Sequence, residues 1–88
     1  MTDSSSLLEF PCRFPIKAMG RSDSDFEATV TAIVTRHAAL TGEDAVQVRA
    51  SGEGNFLSVT LTIEAQSREQ LDRIYQDLTA TGRALMAL

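Results

Sequence analysis

The chain has 88 residues, a formal net charge of −4, 43% hydrophobic residues and 23% charged residues. This length suits one small domain, and the composition lies in the globular range rather than the disordered or membrane-spanning ranges. The negative charge, with no run of Lys or Arg, argues against nucleic acid and anionic membranes as partners.

The single cysteine and the polar N-terminus exclude several further classes of protein. Cys12 is the only cysteine, so neither an intrachain disulfide nor the paired thiolates of a structural zinc site can form. No apolar run approaches ~18 residues, and the first residues lack the pattern of a signal peptide. We expect a cytoplasmic protein without cofactor, with a disordered leader over residues 1–6 and one domain over residues 7–88.

The first half of the chain predicts a strand, a helix and a second strand. Two prolines make residues 7–15 an extended lead-in, and alternation over residues 14–20 predicts the first strand, which ends at Gly20. Acceptor side chains at residues 22–25 precede a helix that runs to about Ala39. Phe26, Val30, Ile33 and Val34 form an apolar stripe along that helix, and His37 lies on or beside it at the same spacing. After Gly42, alternation of Val46, Val48 and Ala50 with polar residues predicts the second strand.

The second half predicts a hairpin, a helix and a short strand. The run SGEGN at residues 51–55 favours a tight turn. The third strand has the clearest alternation, with Leu57, Val59, Leu61, Ile63 and Ala65 on one face. Ser67 and Gln70 form a capping-box pattern before a helix that ends at Gly82. Residues 83–88 predict a terminal strand.

This order predicts an α+β fold of the ferredoxin-like β-α-β-β-α-β type. Right-handed crossovers and one hairpin produce a four-stranded antiparallel sheet with both helices on one face. The first and third strands are then central, and the second and fourth are edges. The face away from the helices is expected to be polar, formed by Lys17, Met19, Gln47, Arg49, Ser58, Thr60, Thr62 and Glu64.

Several segments resemble the YbeD-like family of small bacterial proteins of unknown function. They are LLEFPCRFPIKAMG, RHA at residues 36–38, SGEGNFLSVTLTIEA and the C-terminal RALMAL. The resemblance covers residues 7–88, although Phe56 stands where the family often has Tyr. It implies a ferredoxin-like fold similar to the small-molecule-sensing ACT regulatory domains, and it supplies no catalytic residue. Because this fold hosts many functions, the resemblance alone assigns none.

The reactive side chains do not form a catalytic pattern. His37, the only histidine, is predicted to have a structural role near a helix end, and Cys12 is predicted to pack as a small hydrophobe. Arg21 and Asn55 match residue types used by acylphosphatases of this fold, but the glycine-rich phosphate loop is absent. The predicted outward positions of the sheet carry no aromatic side chains on which RNA bases could stack. The chain also lacks the Cys-x-x-Cys loop of copper carriers with this fold.

These observations favour a non-enzymatic regulatory or adaptor module that acts through homotypic association or a protein partner, and they leave the sensing of a small metabolite open as a further role. The edge strands over residues 45–50 and 84–88 carry little charge, so they can pair with another chain. A metabolite-binding accessory of an enzyme and, more remotely, an acyl-phosphate hydrolase are the alternatives. If an anionic metabolite binds, we expect it at the first strand-helix junction, formed by Lys17, Met19, Gly20 and Arg21.

Overall fold

The computed structural model describes residues 9–22, 25–82 and 84–87, which form an antiparallel sheet packed against two helices. The elements in chain order are β1 (Cys12–Arg21), α1 (Phe26–His37), β2 (Val46–Ser51), β3 (Phe56–Ala65), α2 (Arg68–Ala80) and β4 (Ala84–Ala87). Strands β2, β3 and β1 lie side by side, and the short β4 pairs with the outer side of β1. The predicted α+β class, with two helices and an antiparallel sheet, is confirmed. The predictions for the leader, and for Arg83 and Leu88, fall outside the described residues.

Strand β1 starts earlier than the alternation predicts and includes a proline. It pairs with β3 from Cys12 opposite Ala65 to Arg21 opposite Phe56, so part of the predicted lead-in belongs to the sheet. The Ser22 N–H donates to the Asn55 carbonyl at 2.9 Å, and antiparallel bonding alternates along a strand. The ring nitrogen of Pro15 therefore faces away from β3, where β4 does not reach, and no ladder bond is lost there.

The core lies between the sheet and the helices, where the alternation of β3 and the stripes of both helices converge. Four of the five predicted inward positions of β3, Val59, Leu61, Ile63 and Ala65, are at 0% exposure, and the fifth, Leu57, is partly buried against the same core. One continuous cluster of buried side chains includes residues from β1, β3 and both helices. From the helices these are Phe26, Val30, Ile33, Val34, Leu71, Ile74 and Leu78. No buried polar side chain in the described part of the chain lacks a hydrogen-bond partner.

Strand β2 has the predicted alternation without the burial that usually accompanies it. Val46 and Val48 lie opposite Leu61 and Val59, on the face that carries the core. Both valines are nevertheless 39% exposed, and every residue of β2 is exposed. The helices therefore leave the apolar face of this edge strand uncovered.

Hydrogen bonds at the helix ends confirm part of the predicted capping. The Ser67 hydroxyl accepts from the Gln70 N–H at 3.1 Å, as the capping-box pattern predicts. The Gln70 side-chain amide also donates to the His37 carbonyl at 2.8 Å, which ties the end of α1 to the start of α2. Asp25 occupies the N-cap position of α1 without a side-chain capping bond, and Asp23 and Ser24 fall outside the described residues.

The hairpin predicted over residues 51–55 is confirmed and favours glycine at its first central position. The Gly54 N–H donates to the Ser51 carbonyl at 3.1 Å. Gly52 has φ +60, and a Cβ at that position would lie 2.8 Å from the Phe56 ring. A side chain there would meet both backbone strain and the ring.

Candidate functional site

The face of the sheet opposite the helices is open and polar, as the alternation predicts. Register places Lys17, Thr60 and Gln47 in one row across β1, β3 and β2, and Met19, Ser58 and Arg49 in the next. We call this surface the open face. The side chains facing the other way from β1 and β3 are buried in the core or partly buried against it, so the predicted division of those strands into two faces is confirmed.

Positive charge is concentrated on the open face although the chain as a whole is negative. Four of the seven Lys and Arg residues that the structure describes lie there, all of them exposed: Arg13, Lys17, Arg21 and Arg49. Glu64, opposite Arg13, is the single acidic residue among the described open-face positions of β1, β2 and β3. Because the other described acidic residues lie on helices, turns or loops, this face attracts anions that the net charge would repel.

A shallow depression of about 370 Å³ lies at the β2 side of the open face. Its lining consists of Pro15, Lys17, Gln47, Arg49, Ser58 and Thr60. Apart from the proline, every lining side chain can donate a hydrogen bond, and none is a carboxylate. A second depression next to it includes Arg13 but also Glu43 and Asp44. The first is therefore suited to an acceptor-rich anion, and the second is not.

The structure places three of the four residues of the predicted junction site on one face of β1 and the fourth on the other. Lys17, Met19 and Arg21 point to the open face, whereas Gly20 is buried on the opposite side. Lys17 and Arg21 are four residues apart on one strand, which is roughly 13 Å. The strand therefore does not bring the side chains of Lys17 and Arg21 together. Binding at the junction stays a prediction.

Arg49 is the cation that the sequence-based site did not include. It comes from β2, whereas the predicted site was built from consecutive residues of β1 and its junction. Cross-strand register places it two strands away from Lys17, with Thr60 and Ser58 between them. Its place on the open face could be read from the alternation of β2, but its nearness to Lys17 depends on the pairing of three strands.

The outer edge of β2 presents backbone groups that no described strand pairs. The Thr62 N–H donates to the Ala45 carbonyl at 2.8 Å, so this opposed pair is hydrogen-bonded. Since bonded and non-bonded pairs alternate, the backbone groups of Gln47 and Arg49 face β3, and those of Val46, Val48 and Ala50 face outward. The same three residues carry the exposed apolar side chains of β2. We call this surface the β2 edge.

His37 holds the two helices together. Its Nε2 lies 2.6 Å from Oδ2 of Asp77, across the interface between α1 and α2. Together with the bond from Gln70 to the His37 carbonyl, this contact supports the structural role predicted for His37. Cys12 is half-buried and packs against the core cluster, in agreement with its predicted role. Burial also raises the pKa of the Tyr75 hydroxyl above its usual value.

Arg21 and Asn55 lie close to each other at the end of β1 and β3. Arg21 pairs with Phe56, and the next residue along, Ser22, bonds to the Asn55 carbonyl. Phe56 is the one aromatic residue at the described open-face positions of β1, β2 and β3, and sequence reasoning did not include it among the outward positions. One ring at the margin falls short of the stacking platform with which this kind of sheet binds RNA. No group of three or more metal-ligating side chains occurs in the described ranges.

The fold and these two surfaces define a small α+β domain with one open, cationic sheet face and one uncovered edge strand. Residues 5–88 match the family described as "Protein of unknown function (DUF493)". A UPF0250 protein of Chromobacterium violaceum is 43% identical, covering 98% of this chain and 97% of the relative. A UPF0250 protein of Ectopseudomonas mendocina is 45% identical over the whole of both chains.

The chain therefore belongs to the DUF493 family, and its resemblance to the YbeD-like proteins is confirmed. The solution structure of protein HP0495 from H. pylori is similar, with a TM-score of 0.71 over 92% of this chain and 85% of that one. At 14% identity this likeness concerns the fold alone. Neither of the described helices is long and apolar enough to cross a membrane.

Proposed function

We propose that this protein is a non-enzymatic, cytoplasmic adaptor or regulatory module that associates with a second copy of itself through the β2 edge. The observation that carries the proposal is that every residue of β2 is exposed, with Val46 and Val48 each 39% exposed on the apolar side. An exposed strand with outward backbone groups is a template for another strand. Pairing would satisfy those groups and remove the two valines from water.

Strand overlap and charge together favour one register for the pairing of two β2 strands, because only an axis at Val48 places all three outward residues opposite outward residues. A two-fold axis requires antiparallel strands, and the outward residues must lie opposite outward residues. When the axis passes Val48, Val46 lies opposite Ala50 of the second copy and Gln47 lies opposite its Arg49. When the axis passes Arg49 instead, two arginines face each other, which is unfavourable. The register centred on Val48 is therefore the expected one.

The association is expected to be weak and reversible. A six-residue strand buries less surface than the roughly 1,200–2,000 Å² of stable interfaces. Such a dimer responds to changes in protein concentration and to ligands that favour one state. These are properties that a regulatory module uses.

Proline at one of two adjacent positions separates edge pairing from fold stability. In Val48→Pro the missing N–H is an outward one, so the domain should keep its stability and lose self-association. The matched control is Gln47→Pro, which removes a bond to β3 and is expected to cost about 1–3 kcal/mol of unfolding free energy. Sedimentation equilibrium at high micromolar concentration and urea titration measure the two effects. A Val48→Pro variant that self-associates as the wild type does would refute the β2 edge.

Two substitutions at Gln47 test the register. Gln47→Lys places a cation opposite Arg49 of the second copy, and Gln47→Glu places an anion there. Cross-strand charge pairs contribute roughly 0.2–1 kcal/mol each and occur twice in the dimer. We therefore expect the dimerisation constant to weaken for Lys and to tighten for Glu, by roughly 2- to 30-fold. Equal effects of both substitutions would contradict the register centred on Val48.

The absence of catalysis and of RNA binding is a further expected outcome. Arg21 and Asn55 lack a glycine-rich phosphate loop in the sequence, and Phe56 is a single ring at the margin of the open face. We expect hydrolysis of acetyl phosphate to stay at the background rate and to be the same for Arg21→Ala. Turnover that Arg21→Ala abolishes would establish the hydrolase alternative in place of the adaptor.

A ferredoxin-like arrangement, which we infer from the strand order, supports this proposal. The strand order β2-β3-β1-β4 and the placement of both helices against one face are what that arrangement requires. We assign the fold to it, with the likeness to ACT regulatory domains as an analogy at the level of fold. In this arrangement β2 is an edge, so association through β2 would extend the sheet without disturbing its core.

A further inference from the structure

We propose that the depression on the open face binds a small organic or inorganic anion with at least two negative charges on phosphate or carboxylate oxygens. The anion is held by the side chains of Lys17 and Arg49, with the hydroxyls of Ser58 and Thr60 beneath them. This site differs from the strand-helix junction, because its second cation comes from β2. It also does not depend on the self-association proposed above.

The chemistry of the lining identifies an acceptor-rich ligand. Lys17 and Arg49 contribute an ammonium and a guanidinium, and Ser58, Thr60 and Gln47 contribute two hydroxyls and an amide. All five side chains can donate hydrogen bonds. Charge-assisted bonds from lysine and arginine to phosphate or carboxylate are among the stronger polar contacts.

Neither of the two cations is neutralised within the described ranges. The salt bridge present there joins His37 and Asp77, on the helical side of the domain. Glu64 lies opposite Arg13, four residues along β1 from Lys17, which is roughly 13 Å away. Lys17 and Arg49 are therefore available to an external anion.

Geometry limits the size of the ligand. Lys17 and Arg49 are two strands apart and offset by two residues, so their Cα atoms are separated by roughly 12 Å. Two long side chains on either side of β3 can converge on one or two anionic groups above Thr60 and Ser58. The volume of about 370 Å³ is at the lower end of the roughly 300–1,000 Å³ typical of small-molecule sites. An acidic peptide or a nucleic acid would extend beyond it.

Titration of the ¹⁵N-labelled protein with pyrophosphate and with citrate tests the site. Sodium chloride at equal ionic strength is the reference, because exposed charges respond to salt. We expect saturable shifts of the amides of residues 17, 49, 58 and 60. The pyrophosphate and citrate arms tell phosphate from carboxylate recognition, and shifts that match those in sodium chloride would overturn the proposal.

Charge-removing variants locate the site. Lys17→Gln and Arg49→Gln are each expected to weaken pyrophosphate binding about 3- to 10-fold. Arg68→Gln on the exposed first turn of α2 is the matched control and should have no more than the small effect of net charge. Since all three positions are exposed, the urea midpoint should stay unchanged. Equal weakening by Arg49→Gln and Arg68→Gln would show that no localised site exists.

Three further outcomes would also overturn the proposal. If Arg21→Gln weakens binding while Arg49→Gln does not, the anion binds at the strand-helix junction instead. If a poly-glutamate peptide saturates the open face and the small anions do not, the surface binds acidic protein. If a single-stranded oligonucleotide alone saturates it, the surface binds nucleic acid. Sedimentation of each variant, run in parallel, keeps a failure of self-association distinct from a failure of anion binding.

Discussion

Leu61→Ala is expected to lower the free energy of unfolding by about 2–5 kcal/mol. Leu61 is at 0% exposure in β3, and it belongs to the single buried cluster shared with both helices. Truncation removes apolar contacts and leaves a cavity that the close-packed surroundings fill only in part. For a domain of this length the whole free energy of unfolding is on the order of 5–10 kcal/mol.

Thr60→Ala is the matched control for this loss. Thr60 is the preceding residue on the same strand, but its side chain faces the open side and is half-exposed. A change of less than about 1 kcal/mol is expected there. Urea unfolding of the two variants, with a common m-value, measures the difference. Similar losses for both would mean that the two faces of β3 are assigned in reverse.

Phe26→Ala is expected to lower the free energy of unfolding by about 3–5 kcal/mol. Phe26 is the first residue of α1 and is 1% exposed, which places a large ring in the core at the start of the helix. Its loss would remove both core volume and the contact that fixes the start of α1 against the sheet. We expect part of the population to be unfolded at 37 °C.

Phe26→Leu is the control that keeps a large apolar side chain at this position. Leucine retains most of the apolar contact, so its cost should stay near or below about 1.5 kcal/mol. Thermal unfolding followed by far-UV circular dichroism measures both variants. If Phe26→Ala were as stable as the wild type, the packing of α1 described above would be wrong.

The sequence predicts the order of elements and the inward positions because these depend on local periodicity. The alternation of β3 and the stripe of α1 each repeat often enough to identify a face. The capping interaction of Ser67 with Gln70 is also local, and it is confirmed. The family resemblance also rests on contiguous segments, and the match of residues 5–88 to the family confirms it.

The surfaces that could carry function are harder to predict because they depend on contacts between distant elements. Alternation in β2 marks Val46 and Val48 as inward, but whether a helix covers them depends on where the helices lie. The placement of Arg49 near Lys17 depends on two strand pairings at once. For this reason the predicted site kept to neighbouring residues of β1 and omitted the cation from β2.

Amide hydrogen exchange at several protein concentrations tests the β2 edge most directly. The N–H groups of Val46, Val48 and Ala50 face outward, whereas those of Gln47 and Arg49 face β3. We expect the first three to exchange rapidly in dilute protein and to become protected at high micromolar concentration. The amides of Gln47 and Arg49 should be protected throughout. Rapid exchange of the three outward amides at every concentration would contradict association through the β2 edge.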